Sequence, residues 1–226
     1  MKLDKQLLEI TEILNKNDIF YWIDSGTLLG LVREGKLLPG DLDIDISIPS
    51  NERKKVLGLL HEFERIGYFF KERWTYKSVT YIFKLKHKDK NRVIDFQVYF
   101  ENKIENIWYS PQFVNRKSTN ILSKLIRKVI HDFIIGKSEN KDTAKYTYAY
   151  DHITWVEGKE LIGIPKYLEN TTIKVPEDHI AVLELHFGSS WKIPIRNWDF
   201  IRDDGAFVRR NPETFSLEEP ALFNII

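Results

Sequence analysis

Residues 41–48 read Asp-Leu-Asp-Ile-Asp-Ile-Ser-Ile, and no other stretch constrains the chain as much. Successive side chains of a β-strand point to opposite faces. The alternation therefore predicts a strand with Leu42, Ile44, Ile46 and Ile48 on a core face and Asp41, Asp43, Asp45 and Ser47 on the other. Three carboxylates within about 14 Å of one another, at a rise of roughly 3.3 Å per residue, repel unless a cation sits among them. Oxygen ligands of this kind suit a hard divalent ion, above all Mg²⁺, which takes one or two carboxylates and fills its octahedron with water and substrate phosphates. The plainer alternative is a half-exposed strand with a solvated face, although Asp is depleted in strands.

Upstream, Tyr21 to Asp24 form a short β-type run, Ser25-Gly26-Thr27 a turn of small residues, and Leu28 to Gly35 a helix-like stretch. Ser and Thr cap free N–H groups at a helix start, and Gly lets backbone approach a ligand closely. A helix N-terminus there would offer donors to a phosphate. Most such turns only cap helices. The order strand, turn, helix, Pro39-Gly40 loop and then Asp-x-Asp-x-Asp is much more specific.

Gly26-Thr27-Leu28-Leu29-Gly30-Leu31-Val32-Arg33, with Leu38-Pro39-Gly40-Asp41-Leu42-Asp43-Ile44-Asp45-Ile46, resembles the signature of the LicD-like family of the nucleotidyltransferase-fold superfamily. Val175 to His179 and Leu183 to Trp191 are similar to that family's C-terminal element ending in Tyr-Gly-x-x-Trp. The chain departs from the family pattern at Gly40, Leu42 and Phe187, where Trp, Asp and Tyr are usual. With Leu42 on the core face, its loss of an acid would leave Asp43 and Asp45 facing the site.

The resemblance implies an α+β, nucleotidyltransferase-type fold: a mixed twisted sheet flanked by helices, with a helical and irregular, aromatic-rich C-terminal portion. One domain over residues 1–226 is expected, with the catalytic sheet in about 19–100 and the remaining lobe in about 101–226. Its length of 226 residues without a Gly- or Ser-rich linker agrees with one compact unit. Leu3, Leu7, Ile10 and Leu14 mark an N-terminal amphipathic helix, and Val56, Leu59, Leu60 and Phe63 a second over residues 51–66. Strands are expected over Tyr68 to Trp74, Ser78 to Lys86 and Arg92 to Phe100, and a helix from Asp178 to Phe187 ended by Gly188. Residues 118–135 carry a basic amphipathic pattern. It reads most simply as a cover helix, and otherwise as a peripheral contact with an anionic membrane surface.

A formal net charge of +1 leaves no global footprint for nucleic acid. No signal peptide or membrane-spanning run is evident, and zero cysteines exclude disulfides and Cys-bearing zinc sites, so a cytoplasmic location is expected.

Asp95 stands alone in an apolar β-type run, and the resemblance makes it the third carboxylate of the site. Its plainer alternative is a solvent-facing acid on an edge strand. By the same resemblance Asp43, Asp45 and Asp95 would hold Mg²⁺ or Mn²⁺, two ions in all, with Asp95 receiving the proton of an acceptor hydroxyl. Ser25, Gly26 and Thr27 would hold donor phosphate, with Arg33 and Asp41 beside them. The implied reaction moves a phospho-substituent from a nucleoside-diphosphate-linked donor, such as a CDP-alcohol, to a hydroxyl of a glycan or glycolipid, releasing nucleoside monophosphate. Alternatives are an NTP-dependent nucleotidyltransferase acting on a small molecule, and a catalytically inactive binding module. His179, Arg196, Arg202, Arg209 and Arg210 are further candidates without an assigned role.

Overall fold

The computed structural model describes residues 3–76, 79–115 and 150–208. An N-terminal helix, α1 (Lys5–Lys16), starts at Asp4, whose side chain accepts from the Gln6 and Leu7 amides. Its stripe of Leu7, Ile10 and Leu14 is fully buried, each such side chain contributing about 1.5–3 kcal/mol of burial. A two-residue strand, β1 (Trp22–Ile23), leads into α2 (Ser25–Glu34), and the acidic strand β2 follows (Asp43–Pro49).

The strand begins at Asp43, two residues later than the alternation predicts. Asp41 and Leu42 lie in the short link between the Pro39–Gly40 turn and the strand, where the period-two argument no longer applies, and Leu42 is 70% exposed instead of facing the core. The alternation also fails at its other end. Ser47 is buried and bonded to Asp24, so the wet face ends with Asp45.

The helix expected over residues 51–66 is two, α3 (Arg53–Gly58) and α4 (Leu60–Arg65). They meet at Gly58, a weak helix former, where the Leu59 amide bonds back to the Val56 carbonyl, three residues earlier. Strands β3 (Tyr68–Tyr76), β4 (Val79–His87) and β5 (Val93–Asn102) lie where their patterns predict. On β5, Ile94, Phe96, Val98 and Phe100 face the core, with Phe96 stacked on Phe83 of β4 at 4.7 Å between ring centroids.

The sheet does not stop near residue 100. Strands β6 (Ile107–Asn115), β7 (Tyr150–Gly158) and β10 (Phe207–Val208) extend it in the order β1-β2-β5-β6-β7-β10, with β4 and then β3 paired outward from β5. β2 and β5 run parallel and the other pairs antiparallel, which makes the sheet mixed. Between β7 and β10 come α5 (Lys159–Ile162), a small hairpin of β8 (Lys166–Tyr167) and β9 (Lys174–Val175), α6 (His179–Phe187) and α7 (Phe200–Asp203). The fold is therefore α+β, with a mixed sheet flanked by helices.

Helix α2 packs on β2 and on α6. Gly30 allows the turn after α2 to fold back on it, since a Cβ there would stand 2.8 Å from the Lys36 carbonyl and 2.9 Å from the Leu38 nitrogen. Among the described residues no helix is long and apolar enough to cross a membrane. The basic pattern at 118–135 lies outside the described residues.

Candidate active site

Parallel pairing of β2 with β5 sets Asp45 beside Asp95, and antiparallel pairing of β5 with β4 sets Lys84 on the other side of Asp95. Paired residues share a face of the sheet, so Asp45, Asp95 and Lys84 form one row across three strands, with Asp43 two residues before Asp45. Asp43, Asp45 and Asp95 each offer a carboxylate oxygen, and these oxygens lie within 4.8 Å of one another. Lys84 forms an ion pair with Asp95 Oδ2, while Asp95 Oδ1 is buried without a hydrogen-bond partner.

The four carboxylates, Asp41 included, line one side of a cavity of about 560 Å³. Ser25, Gly26 and Arg33 join them from α2. Most of the cavity's apolar lining comes from beyond residue 186: Phe187, Trp191, Ile193, Pro194, Ile195 and Trp198. Arg33 ties the two sides together, its Nη1 donating to the Trp191 carbonyl at 3.1 Å and its Nε to Glu34 at 2.9 Å.

The small-residue turn is built differently from its sequence pattern. Asp24, not Ser25 or Thr27, is the N-cap of α2, and its Oδ1 accepts from the Ser25 amide at 2.7 Å. The Thr27 hydroxyl is fully buried and turned toward β2, accepting from the Asp45 amide at 2.9 Å and lying 3.4 Å from Asp45 Oδ2. Thr27 therefore fixes Asp45, while Ser25 and Gly26 reach the cavity. A Cβ on Gly26 would stand 3.0 Å from Asp41 Oδ2 and 3.9 Å from Asp45 Oδ2, so a side chain there would point among the carboxylates of the cavity.

Crowding shows in the acid strengths. Burial, the neighbouring charge of Asp43 and a hydrogen bond with it push Asp41 up to about 6. Burial and the charges of Asp43, Asp95 and Asp41 hold Asp45 well above the usual carboxylate range. Asp95 is also raised by burial, against the opposing pull of Lys84. Such mutual strain, with an orphaned buried oxygen on Asp95, is what a hard cation among oxygen ligands relieves. The donor set fits a divalent metal.

This electrostatic strain has a measurable sign. An acid whose folded pKa exceeds its unfolded value keeps a proton the unfolded chain has released, so stability falls as pH rises between the two. For Asp41 that window runs from 3.8 to about 6. In chelator, Asp41→Asn protein is expected to melt above the wild type at pH 7 and to lose that advantage as pH falls below 4. Thermal melts of both proteins across pH, with and without Mg²⁺, check this, and Mg²⁺ should narrow the gap at pH 7.

Other sequence candidates do not converge here. His179 opens α6 with its Nδ1 buried and unbonded, after the N-cap Asp178. Arg202 is exposed and paired with Asp203, Arg196 is exposed, and Arg209 and Arg210 lie outside the described residues.

Sequence reasoning missed a second polar cluster, buried behind the turn. Asp24 Oδ2 accepts from Ser47 Oγ at 2.7 Å and lies 3.2 Å from the Tyr99 hydroxyl, which is 3.0 Å from Glu157 Oε1. His186 Nε2 meets that same Glu157 oxygen at 2.7 Å, and its Nδ1 meets Asp204 Oδ2 at 2.8 Å. Burial alone would lower the pKa of His186, yet its bonds to Asp204 and Glu157 hold it well above the ordinary histidine value. An Asp closing an apolar strand at Asp24 was the one visible signal.

Residues 18–128 match the model of the LicD/FKTN/FKRP nucleotidyltransferase domain. Those residues belong to that family. The LicD/FKTN/FKRP match takes in the turn, the acidic strand and Asp95, and leaves out the apolar wall. Over 201 residues the chain is 22% identical to the human ribitol-5-phosphate transferase FKTN, covering 88% of this chain and 35% of FKTN. Over 113 residues it is 38% identical to the uncharacterized protein RP689 of Rickettsia prowazekii, covering 47% of this chain and 42% of that protein. The chain thus spans less than half the length of these curated relatives. A crystal structure of ANT(2")-Ia in complex with adenylyl-2"-tobramycin superposes at a TM-score of 0.34 and 17% identity, over 43% of this chain and 50% of that one.

Proposed function

We propose that the chain is a metal-dependent phosphotransferase that passes a phospho-substituent, such as phosphocholine or a phospho-alditol, from a nucleoside-diphosphate-linked donor to a hydroxyl of a glycan or glycolipid. The observation that carries this reading is the convergence of Asp43, Asp45 and Asp95 on a cavity whose rim is the start of α2. The name of FKTN, a ribitol-5-phosphate transferase, supports the class of group transferred.

Asp43, Asp45 and Asp95 would hold Mg²⁺ or Mn²⁺, which when bound supplies Lewis-acid stabilisation of charge on the donor phosphates and lowers the pKa of an acceptor hydroxyl. The Ser25 hydroxyl and the Gly26 amide bind donor phosphate at the start of α2, where the helix dipole favours an anion. Thr27 orients Asp45 through its buried hydroxyl. Asp95 takes the hydroxyl proton as the acceptor oxygen attacks phosphorus and the bond to the departing nucleoside monophosphate breaks. Donor bound against the apolar residues from Phe187 to Trp198 would cover their exposed surface and limit water as a competing acceptor.

Incubation with Mg²⁺ and CDP-choline, CDP-ribitol or each NTP tests the proposal. Release of CMP supports it. Pyrophosphate release points to nucleotidyl transfer, and neither product to a binding module.

Gly26→Val is expected to raise the apparent donor constant at least about tenfold, since a side chain at a close-approach position blocks ligand before it disturbs core. The melting temperature should move by only a few degrees, because the nearest atom to the new Cβ is the end of the Asp41 side chain. Calorimetric donor titration of the variant checks the first part and a thermal melt the second.

A further inference from the structure

Five buried side chains form one continuous path from the cavity wall to the start of α2: Asp204, His186, Glu157, Tyr99 and Asp24. Asp204 also lines the cavity, and Asp24 is the N-cap that holds the Ser25 amide. The path joins chain segments far apart in sequence, since Asp24 precedes α2, Tyr99 is on β5, Glu157 on β7 and His186 on α6.

Proton counting shows how tightly the members depend on one another. A neutral imidazole donates through one nitrogen only, yet both nitrogens of His186 face carboxylates at hydrogen-bond distance. The doubly protonated ring satisfies both. Tyr99 has a single proton and lies within reach of two acids, Asp24 and Glu157. It donates to one, and the other bonds to it only by donating a proton of its own. Glu157 Oε2 has no partner. A change of charge at any member therefore reassigns protons at its neighbours, because each shares a proton with the next and an unpaired polar group in buried surroundings is costly.

A metal is the competing explanation, because Asp24, Glu157 and His186 present ligand atoms within 4.8 Å of one another. However, two ligands on one tetrahedral zinc at about 2.0–2.1 Å stand roughly 3.3 Å apart. His186 Nε2 and Glu157 Oε1 are 2.7 Å apart, a charge-assisted hydrogen bond.

We infer that Asp204, His186, Glu157 and Tyr99 are positioning residues that act through Asp24 to hold the Ser25–Gly26 turn in place, so that the cavity lining at Asp204 and at the turn moves as one. None of the four is placed at the reacting atoms. The inference concerns the frame of the site and stands apart from which donor the site takes.

The test needs no substrate. The variants are Asp204→Asn, which keeps shape and removes charge at the far end, Tyr99→Phe, which cuts the path in the middle, and the double variant. Hydrogen exchange is read at the Ser25 and Leu28 amides, both bonded to Asp24, with α1 amides as control. In wild type, ¹⁵N spectra should show both His186 ring nitrogens protonated at pH 7. Asp204→Asn should speed exchange at Ser25 and Leu28 at least tenfold with α1 unchanged. Tyr99→Phe should do the same, and the double variant should be no faster than the faster single variant, since a cut path transmits nothing more. Exchange unchanged at Ser25 in Asp204→Asn overturns the inference, as do strictly multiplicative effects. Uniform acceleration that includes α1 reports general loss of stability and also overturns it. A stoichiometric metal on the purified wild type, lost with Glu157→Gln, would replace it with a metal site.

Discussion

Asp45→Asn protein is expected to lose turnover by about 10³-fold or more while melting above the wild type in chelator. The two effects have one cause. Asp45 lies between Asp43 and Asp95, and in the metal-free protein its charge is disfavoured by burial and by both neighbours. An amide removes that repulsion and keeps the shape. Thr27 still has the residue-45 amide to bond and can meet the new side-chain amide. With metal the balance reverses, because an amide is a poor ligand for a hard cation. Loss of about 4 kcal/mol of transition-state stabilisation corresponds to the 10³-fold fall. Single-turnover rates with Mg²⁺, beside melts in EDTA and in Mg²⁺, measure both quantities. An active variant, or wild-type turnover undiminished in EDTA, would sink the metal reading.

Asp95→Asn should separate binding from chemistry. Donor affinity is expected to stay close to wild type, because Ser25 and Gly26 on α2 are untouched, while transfer falls by about 10²–10⁴-fold, the range for a lost general base. Lys84 makes the result more specific. It forms an ion pair with Asp95 Oδ2, so the bland picture of a solvent-facing acid on an edge strand does not describe this residue: its side chain is 16% exposed, and β5 has β2 on one side and β4 on the other. Replacing Asp95 removes the carboxylate that Lys84 pairs with on this face of the sheet. Calorimetric donor titration and single-turnover measurement on the one variant test the prediction. Affinity and rate falling together would assign Asp95 to donor binding.

Local pattern carried the sheet's centre. Strict alternation at Asp43 to Ile46 and at Ile94 to Phe100 can be satisfied only by strands with one face in the core, and the structure has both in place. Three-residue and four-residue spacings did the same for α1, while a start at Asp178 and a stop at Gly188 marked α6. Edges were less legible. A carboxylate at position 41 looks the same in sequence whether its backbone is extended or turned, so Leu42 was assigned to the core and is found exposed. Strands β6, β7 and β10 were missed because their apolar residues alternate weakly, and what holds them is pairing with partners distant in sequence.

Local sequence specifies which atoms are available for chemistry: three acids at every second position, a glycine beside them, and an isolated acid in a β run. Which of these meet depends on the folded sheet. Parallel register puts Asp95 beside Asp45, and a shift of one residue would have turned Asp95 to the core. The chain after residue 186 supplies the cavity's apolar wall, and a buried path through His186 reaches back to Asp24. Register and long-range burial are properties of the whole core: each depends on the summed burial of many side chains, and no short stretch of sequence contains that sum.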